Sequence, residues 1–99
     1  IKALYSYNCQ VCGITIKTKK GLYAEGAHIK PLGRPHNGYD STDNMLCLCP
    51  NHHVMFDKGS FAIDESFNLI GELSGLLNVH AKHDIDLDNL KYHRKSHGF

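Results

Sequence analysis

Four side chains of this chain stand in two short metal-ligand knuckles: Cys9 and Cys12 are separated by two residues, and so are Cys49 and His52. Three sulfurs and one imidazole in such pairs suit a closed, tetrahedral zinc site in which the protein fills every coordination position. A second histidine, His53, directly follows the last ligand. Its ring leaves the helix in another direction, which suits a second site that is still open for chemistry. Cys47 competes with Cys49 because the two share a strand face, but only Cys49 has the knuckle spacing to His52, and Cys47 then reads as a buried thiol. Disulfide pairing is the other use of these cysteines, and the chain shows no signal peptide to support it.

His28, Asn44, His53 and Asp57 suggest a base and a cation across a gap. His53 and Asp57 are one helical turn apart, so both can face one metal ion. His28 ends an extended segment that would approach from the opposing side. A phosphodiester is anionic and repels hydroxide, so its hydrolysis needs a divalent cation on its oxygens and a base beside the attacking water. Neutral imidazole, which titrates near ~6.5 in water, can take that proton at cellular pH. Asn44 has no useful acidity, but its amide can hold a loop backbone or an imidazole in one orientation.

The elements needed to carry these residues are visible in the pattern. Ile1, Leu4 and Tyr5 predict one or two helical turns, followed by a tight turn from Cys9 to Gly13. Ile14 and Ile16 alternate with threonines as a short strand that turns at Lys19-Lys20-Gly21, and Leu22 to Ile29 is extended again. Pro31 to Asp43, with two of the three prolines and Asn37-Gly38, is a loop. Met45 to Leu48 predicts a strand, and Pro50 opens a helix to about Lys58 that Gly59 stops. Phe61 to Ile63 and Phe67 to Ile70 predict a hairpin around Asp64-Glu65-Ser66, and Asp86 caps a closing helix with Leu87, Leu90 and Arg94 on one face. The fold class is α+β.

Ninety-nine residues with 41% hydrophobic content make one small domain with a modest core, which a structural metal would reinforce. Eleven Lys and Arg against ten Asp and Glu leave a formal charge of +1, so the molecule is no polycation. Clusters at Lys17, Lys19 and Lys20, at Lys30 and Arg34, and at Lys91, Arg94 and Lys95 can still follow a phosphate backbone. No apolar run approaches the roughly 20 residues of a membrane-spanning helix. The opening Ile1-Lys2-Ala3, without an initiator Met, reads as a fragment of a longer multidomain chain in which residues 1–99 are a single domain.

The strings Cys9-Gln-Val-Cys12-Gly, Ala27-His28-Ile29-Lys30-Pro31-Leu32-Gly33, Asp43-Asn44, Leu48-Cys49-Pro50-Asn51-His52-His53 and Phe56-Asp57-Lys58-Gly59 together resemble HNH endonucleases of the ββα-metal fold. The likeness is strongest over residues 9–63 and extends to Tyr92-His93-Arg94. It is greatest to HNH domains joined to SRA domains, which read modified cytosine, in bacterial modification-dependent restriction enzymes. The resemblance implies a small zinc-stapled ββα-metal domain, with an additional hairpin and C-terminal helix, that hydrolyses phosphodiester bonds of double-stranded DNA. By position, His28 is the general base, Asn44 the central asparagine and His53 a ligand of the catalytic metal. Cys9, Cys12, Cys49 and His52 match the zinc ligands, with His52 standing where many relatives have cysteine. The implied cofactors are structural Zn²⁺ and catalytic Mg²⁺ or Mn²⁺. The implied partners are DNA, a modified-base-reading domain in the same full-length chain and a second copy for cutting both strands, and the implied location is the bacterial cytoplasm.

One departure bears on the metal. Relatives often carry an Asp or His ligand just before the base, and this chain has Ala27. Asp57, Asn44 by direct coordination, and Glu25 on the strand face of Ala27 are the candidates to replace it. So few protein ligands predict weak divalent-ion binding.

Blander roles compete with these. Asp57 has the alternative of a cap or ion pair within its helix, and His36 is expected to touch solvent or phosphate. His80, His83, His93 and His97 include a pair one helical turn apart, but no cysteine is near and Lys91, Arg94 and Lys95 are interleaved. Packing and a phosphate-facing surface are expected there, not a second zinc. Tyr5, Tyr7, Tyr23, Tyr39 and Tyr92 are expected to pack, with Tyr39 also close to DNA. The rival to a nuclease is a non-catalytic zinc module that binds DNA or protein, which Ala27 favours.

Overall fold

Three separate two-stranded antiparallel sheets and two short helices make up the computed structural model, which describes residues 1–99. Strands β1 (Ile16–Thr18) and β2 (Gly21–Tyr23) form an exposed hairpin. Strand β3 (Glu25–His28) pairs with β4 (Met45–Leu48), and β5 (Phe61–Ile63) pairs with β6 (Leu69–Gly71). Helix α1 is Pro50–Asp57 and helix α2 is Leu87–Ser96. The extended run from Leu22 to Ile29 is therefore divided between two sheets, with buried Ala24 at the crossing.

The unit β3, β4 and α1 carries the site. Its register sets Glu25 opposite Leu48, Ala27 opposite Leu46 and His28 opposite Met45. Helix α1 starts where Cys49, still extended, accepts the His52 N–H on its sulfur and Pro50 supplies a preset φ. It ends at Asp57 with Lys58 as its cap, because Gly59 then takes φ +75°, where the ring of His97 leaves no room for a Cβ. The core lies between this unit and β5: Ala27, Ile29, Leu46, Leu48, Phe56, Phe61 and Ile63 are all fully buried. Phe56 anchors α1 there, with its ring centroid 5.5 Å from that of Phe61. Truncating such a ring to Ala costs about 3–5 kcal/mol, a large share of the stability of a small domain.

Three expectations are corrected by packing. The return strand of the second hairpin begins at Leu69 instead of Phe67, because the Asp64 carboxylate accepts the N–H groups of Ser66 and Asn68 and lengthens the turn, leaving Phe67 at φ 65°. Asp86 does cap α2, through the Asp88 N–H, but Leu87 is 46% exposed and the inward face is Leu90, His93 and Arg94. The helix leans on β5, and its first turn projects beyond that strand. Of the tyrosines only Tyr5 is buried in the core, while Tyr39 is 81% exposed.

Candidate active site and zinc knuckle

The two knuckles converge. The sulfurs of Cys9, Cys12 and Cys49 and one ring nitrogen of His52 all lie within 4.8 Å of one another. Cys12 Sγ is 3.9 Å from Cys49 Sγ, and His52 Nδ1 is 3.3 Å from Cys49 Sγ and 3.8 Å from Cys9 Sγ. Around a tetrahedral zinc with Zn–S near ~2.3 Å and Zn–N near ~2.0 Å, sulfurs sit about 3.8 Å apart and sulfur and nitrogen about 3.5 Å apart. The three distances 3.3, 3.8 and 3.9 Å match that spacing, and the donor set suits zinc. Burial pushes the Cys9 thiol up, but the backbone N–H groups of Cys12, Cys49 and Val11 outweigh it and hold the thiol below its ordinary value. Burial, with repulsion from Cys9 and Cys49 adding to it, pushes Cys12 up to about 11. Three sulfurs this close ionise together only around a cation. Cys47 is elsewhere, fully buried beside Tyr5 and Ala24.

His28 and His53 open into one cleft of about 620 Å³, which Gly26, Ile29, Asp57 and His93 also line. His28 enters it from the end of β3, and His53 and Asp57 enter from successive turns of α1. The imidazole of His53 lies between two carboxylates: Nδ1 is 2.8 Å from Glu25 Oε1 and Nε2 is 3.2 Å from Asp57 Oδ2. Glu25 also accepts from the Tyr23 hydroxyl at 2.6 Å. That hydrogen bond first, and the one from His53 second, hold the Glu25 carboxyl below the usual carboxylate range. Ala27 is fully buried and offers no donor, so the carboxylates flanking His53 come from β3 and from α1 itself. Of the two, Asp57 lines the cleft and Glu25 does not.

Asn44 does not face the cleft. It is 1% exposed, its Oδ1 accepts the Lys30 N–H at 2.8 Å, and its Nδ2 donates to the carbonyls of Lys30 at 2.9 Å and Tyr39 at 2.8 Å. Both amide hydrogens are used, which closes loop 29–44 at its neck. Gly38 completes the closure: its N–H reaches the Pro31 carbonyl, and a Cβ on it would lie 2.1 Å from the Lys30 carbonyl oxygen. Within this loop Asp40 Oδ1 stands 2.9 Å from His28 Nε2, a contact between a strand end and an irregular loop that no spacing rule announces.

Of the remaining histidines, His36, His93 and His97 also line the cleft, and those with protein partners make structural contacts. His83 bridges the Tyr5 hydroxyl and the Thr42 carbonyl, His93 donates to the Phe56 carbonyl, and His36 meets the Tyr92 hydroxyl at 2.6 Å. The Cys9, Cys12, Cys49 and His52 cluster is the one group of three or more metal-ligand side chains in the structure. Arg94 faces inward, with Nη1 on the Ile63 carbonyl at 2.8 Å, so the basic surface of α2 reduces to Lys91 and Lys95. Lys30 Nζ packs over the Tyr92 ring at 4.6 Å, which ties the loop to α2.

A ββα unit with a Cys3His cluster that could hold zinc, and with two histidines lining one cleft, is the arrangement of a class of metal-dependent nuclease domains. The chain belongs to the HNH endonuclease family, whose pattern it matches over residues 9–64. It is similar to Anaredoxin of Nostoc sp., with 36% identity over 64 residues that make up 65% of this chain and 75% of that protein. Among solved structures it is similar to the Modification dependent TagI restriction endonuclease, with a TM-score of 0.93 and 48% identity over 97% of this chain and 35% of that one. The chain thus spans about a third of that enzyme's length. No helix is long and apolar enough to cross a membrane.

Proposed function

We propose that the chain is the cleavage module of a modification-dependent restriction enzyme, hydrolysing phosphodiester bonds of double-stranded DNA. The observation that carries this reading is the shared cleft, where His28 from β3 faces His53 and Asp57 from α1. Nε2 of His53 and the Asp57 carboxylate would hold Mg²⁺ or Mn²⁺. Their separation of 3.2 Å is close to that of neighbouring ligands of an octahedral ion, about 3.0 Å at ligand distances near ~2.1 Å. Such an ion, when bound, supplies positive charge to the phosphodiester oxygens and to the departing oxygen.

The chain's own groups do the rest. His28 accepts a proton from water as the water oxygen bonds to phosphorus, the P–O3′ bond breaks, and the departing oxygen is protonated by solvent. Glu25, accepting from His53 Nδ1–H, keeps Nε2 turned toward Asp57. Asn44 transfers no proton and holds loop 29–44 in place. Recognition of the modified base is assigned to a domain outside this chain, in line with its spanning about a third of the restriction enzyme it resembles. One cleft reaches one strand, so cutting a duplex would take two copies.

The test is nicking of supercoiled plasmid by the zinc-loaded chain at high concentration with Mn²⁺. Wild type should nick, and His28→Ala, or omission of the divalent ion, should stop nicking while the fold and its zinc persist. Equal DNA binding by both proteins with no cleavage under any divalent ion would replace this reading by a non-catalytic zinc module.

A further inference from the structure

Two nitrogens of His28 have unlike surroundings. Nε2 is 2.9 Å from the Asp40 carboxylate, and Nδ1 has no hydrogen-bond partner in the chain. A carboxylate oxygen only accepts, so the hydrogen of a neutral ring is on Nε2 and the lone pair is on Nδ1. We propose that Asp40 is a positioning residue for cleavage, holding His28 in the tautomer and orientation that present Nδ1 to water in the cleft. The inference rests on the reading of His28 as the base.

Asp40 is on the surface, with its side chain 72% exposed, yet its backbone is anchored on both sides. The carbonyl of Tyr39, the residue before it, is held by buried Asn44 at 2.8 Å. Two residues before it, Gly38 is pinned by its N–H to the Pro31 carbonyl at 2.7 Å. After it, the Ser41 carbonyl accepts the Asn44 N–H at 3.0 Å, at the start of the 3-10 turn Thr42–Asn44. Asn44 therefore grips Lys30 and Tyr39 with its side chain and the turn with its backbone N–H, and what that grip sets in space is the acid behind His28. This gives the buried amide a task in the cleft it does not touch.

Charge placement agrees. A carboxylate in the cleft that is not neutralised by a cation, as Asp57 would be, would repel a phosphodiester, and Asp40 is not among the residues that line it. It meets the ring on the Nε2 side, which leaves Nδ1 free for water. Because water also reaches this acid, its effect is expected at the low end for such supporting carboxylates, about tenfold in rate.

Asp40→Ala and Asp40→Asn would be compared with wild type and His28→Ala, all zinc-loaded, by plasmid nicking and by the ¹⁵N shifts of the His28 ring. Both Asp40 variants should lower kcat about tenfold without raising KM for DNA, and the His28 nitrogens should change from one tautomer to a mixture. Asn is isosteric with Asp, so it keeps the loop packed while removing the obligate acceptor. If His28→Ala is inactive while both Asp40 variants retain wild-type kcat and a single tautomer, the Asp40 role is wrong and the base reading stands. If His28→Ala remains active, the base reading fails and this inference falls with it.

Discussion

Acid should loosen the joint between α1 and α2, because His93 is held there as a neutral ring. It is 4% exposed, stacks on Phe56 with centroids 3.7 Å apart and donates from Nε2 to the Phe56 carbonyl at 2.9 Å, while Nδ1 is buried without a partner. Burial is the largest influence on its pKa; the Phe56 hydrogen bond opposes it, and repulsion from His97 and Arg94 reinforces it, so the pKa falls from 6.5 to about 4. The unfolded chain then takes up this proton near pH 6.5 and the folded one near pH 4. Between those values the unfolded state binds more protons, so stability falls as pH is lowered. The contribution is complete above pH 6.5, and from these two values it is reduced by about 2 kcal/mol at pH 5 and about 3 kcal/mol at pH 4.

The measurement is chemical denaturation in excess zinc at pH 7.5, 6 and 5, for wild type and His93→Gln. Glutamine can place an amide donor near the same carbonyl and does not titrate. Protonation of the zinc ligands affects both proteins alike, so their difference isolates His93. The variant should be less stable at pH 7.5, for want of the stacked ring, and the gap should close by about 2 kcal/mol by pH 5. A gap unchanged between pH 7.5 and pH 5 would refute the argument, since it would mean that the folded protein accepts the proton as readily as the unfolded one.

Two further outcomes follow from the two scaffolds of the site. Cys12→Ser, or chelation of zinc, should unfold the chain by circular dichroism, since structural zinc binding worth about 10–16 kcal/mol exceeds the stability of a domain this small, whereas omitting Mg²⁺ and Mn²⁺ should leave the spectrum intact. Gly38→Ala should cost about 1–3 kcal/mol in denaturant and lower nicking at least tenfold although it changes no group in the cleft, because its Cβ would lie 2.1 Å from the Lys30 carbonyl oxygen and 2.9 Å from Asn44 Nδ2.

What could be read in advance is what depends on short spacing. A knuckle brings two donors to one point, so the convergence of Cys9, Cys12, Cys49 and His52 was visible without any knowledge of the sheet. His53 and Asp57 were visible for the same reason, one turn of helix apart. Glu25 was legible as a side chain on the right strand face, but its contact with His53 depends on how α1 lies across β3. Asp40 was illegible, because loop 29–44 has no period and its shape comes from Asn44 and Gly38 at the neck. For His93 and Arg94 the sequence left both packing and a phosphate-facing surface open, with Arg94 placed on the face of Leu90. Their inward turn follows from β5, whose Ile63 carbonyl takes Arg94 and whose Phe61 packs against Phe56 beneath the His93 ring.

The two sides of the cleft therefore rest on different supports. The Cys9, Cys12, Cys49 and His52 cluster takes two of its donors from just before and within the first turn of α1, and that helix carries His53 and Asp57, so zinc bound there would brace the proposed cation side. The base side is held by one buried amide, Asn44, through the backbone of a loop whose acid touches His28. The strands β3 and β4, paired from Glu25 and Leu48 to His28 and Met45, join these halves and set their separation. A helix that a metal would brace and an amide-clamped loop, joined by one short sheet, would let so small a core hold the proposed base and cation apart at a distance set by backbone hydrogen bonds and not by long side chains.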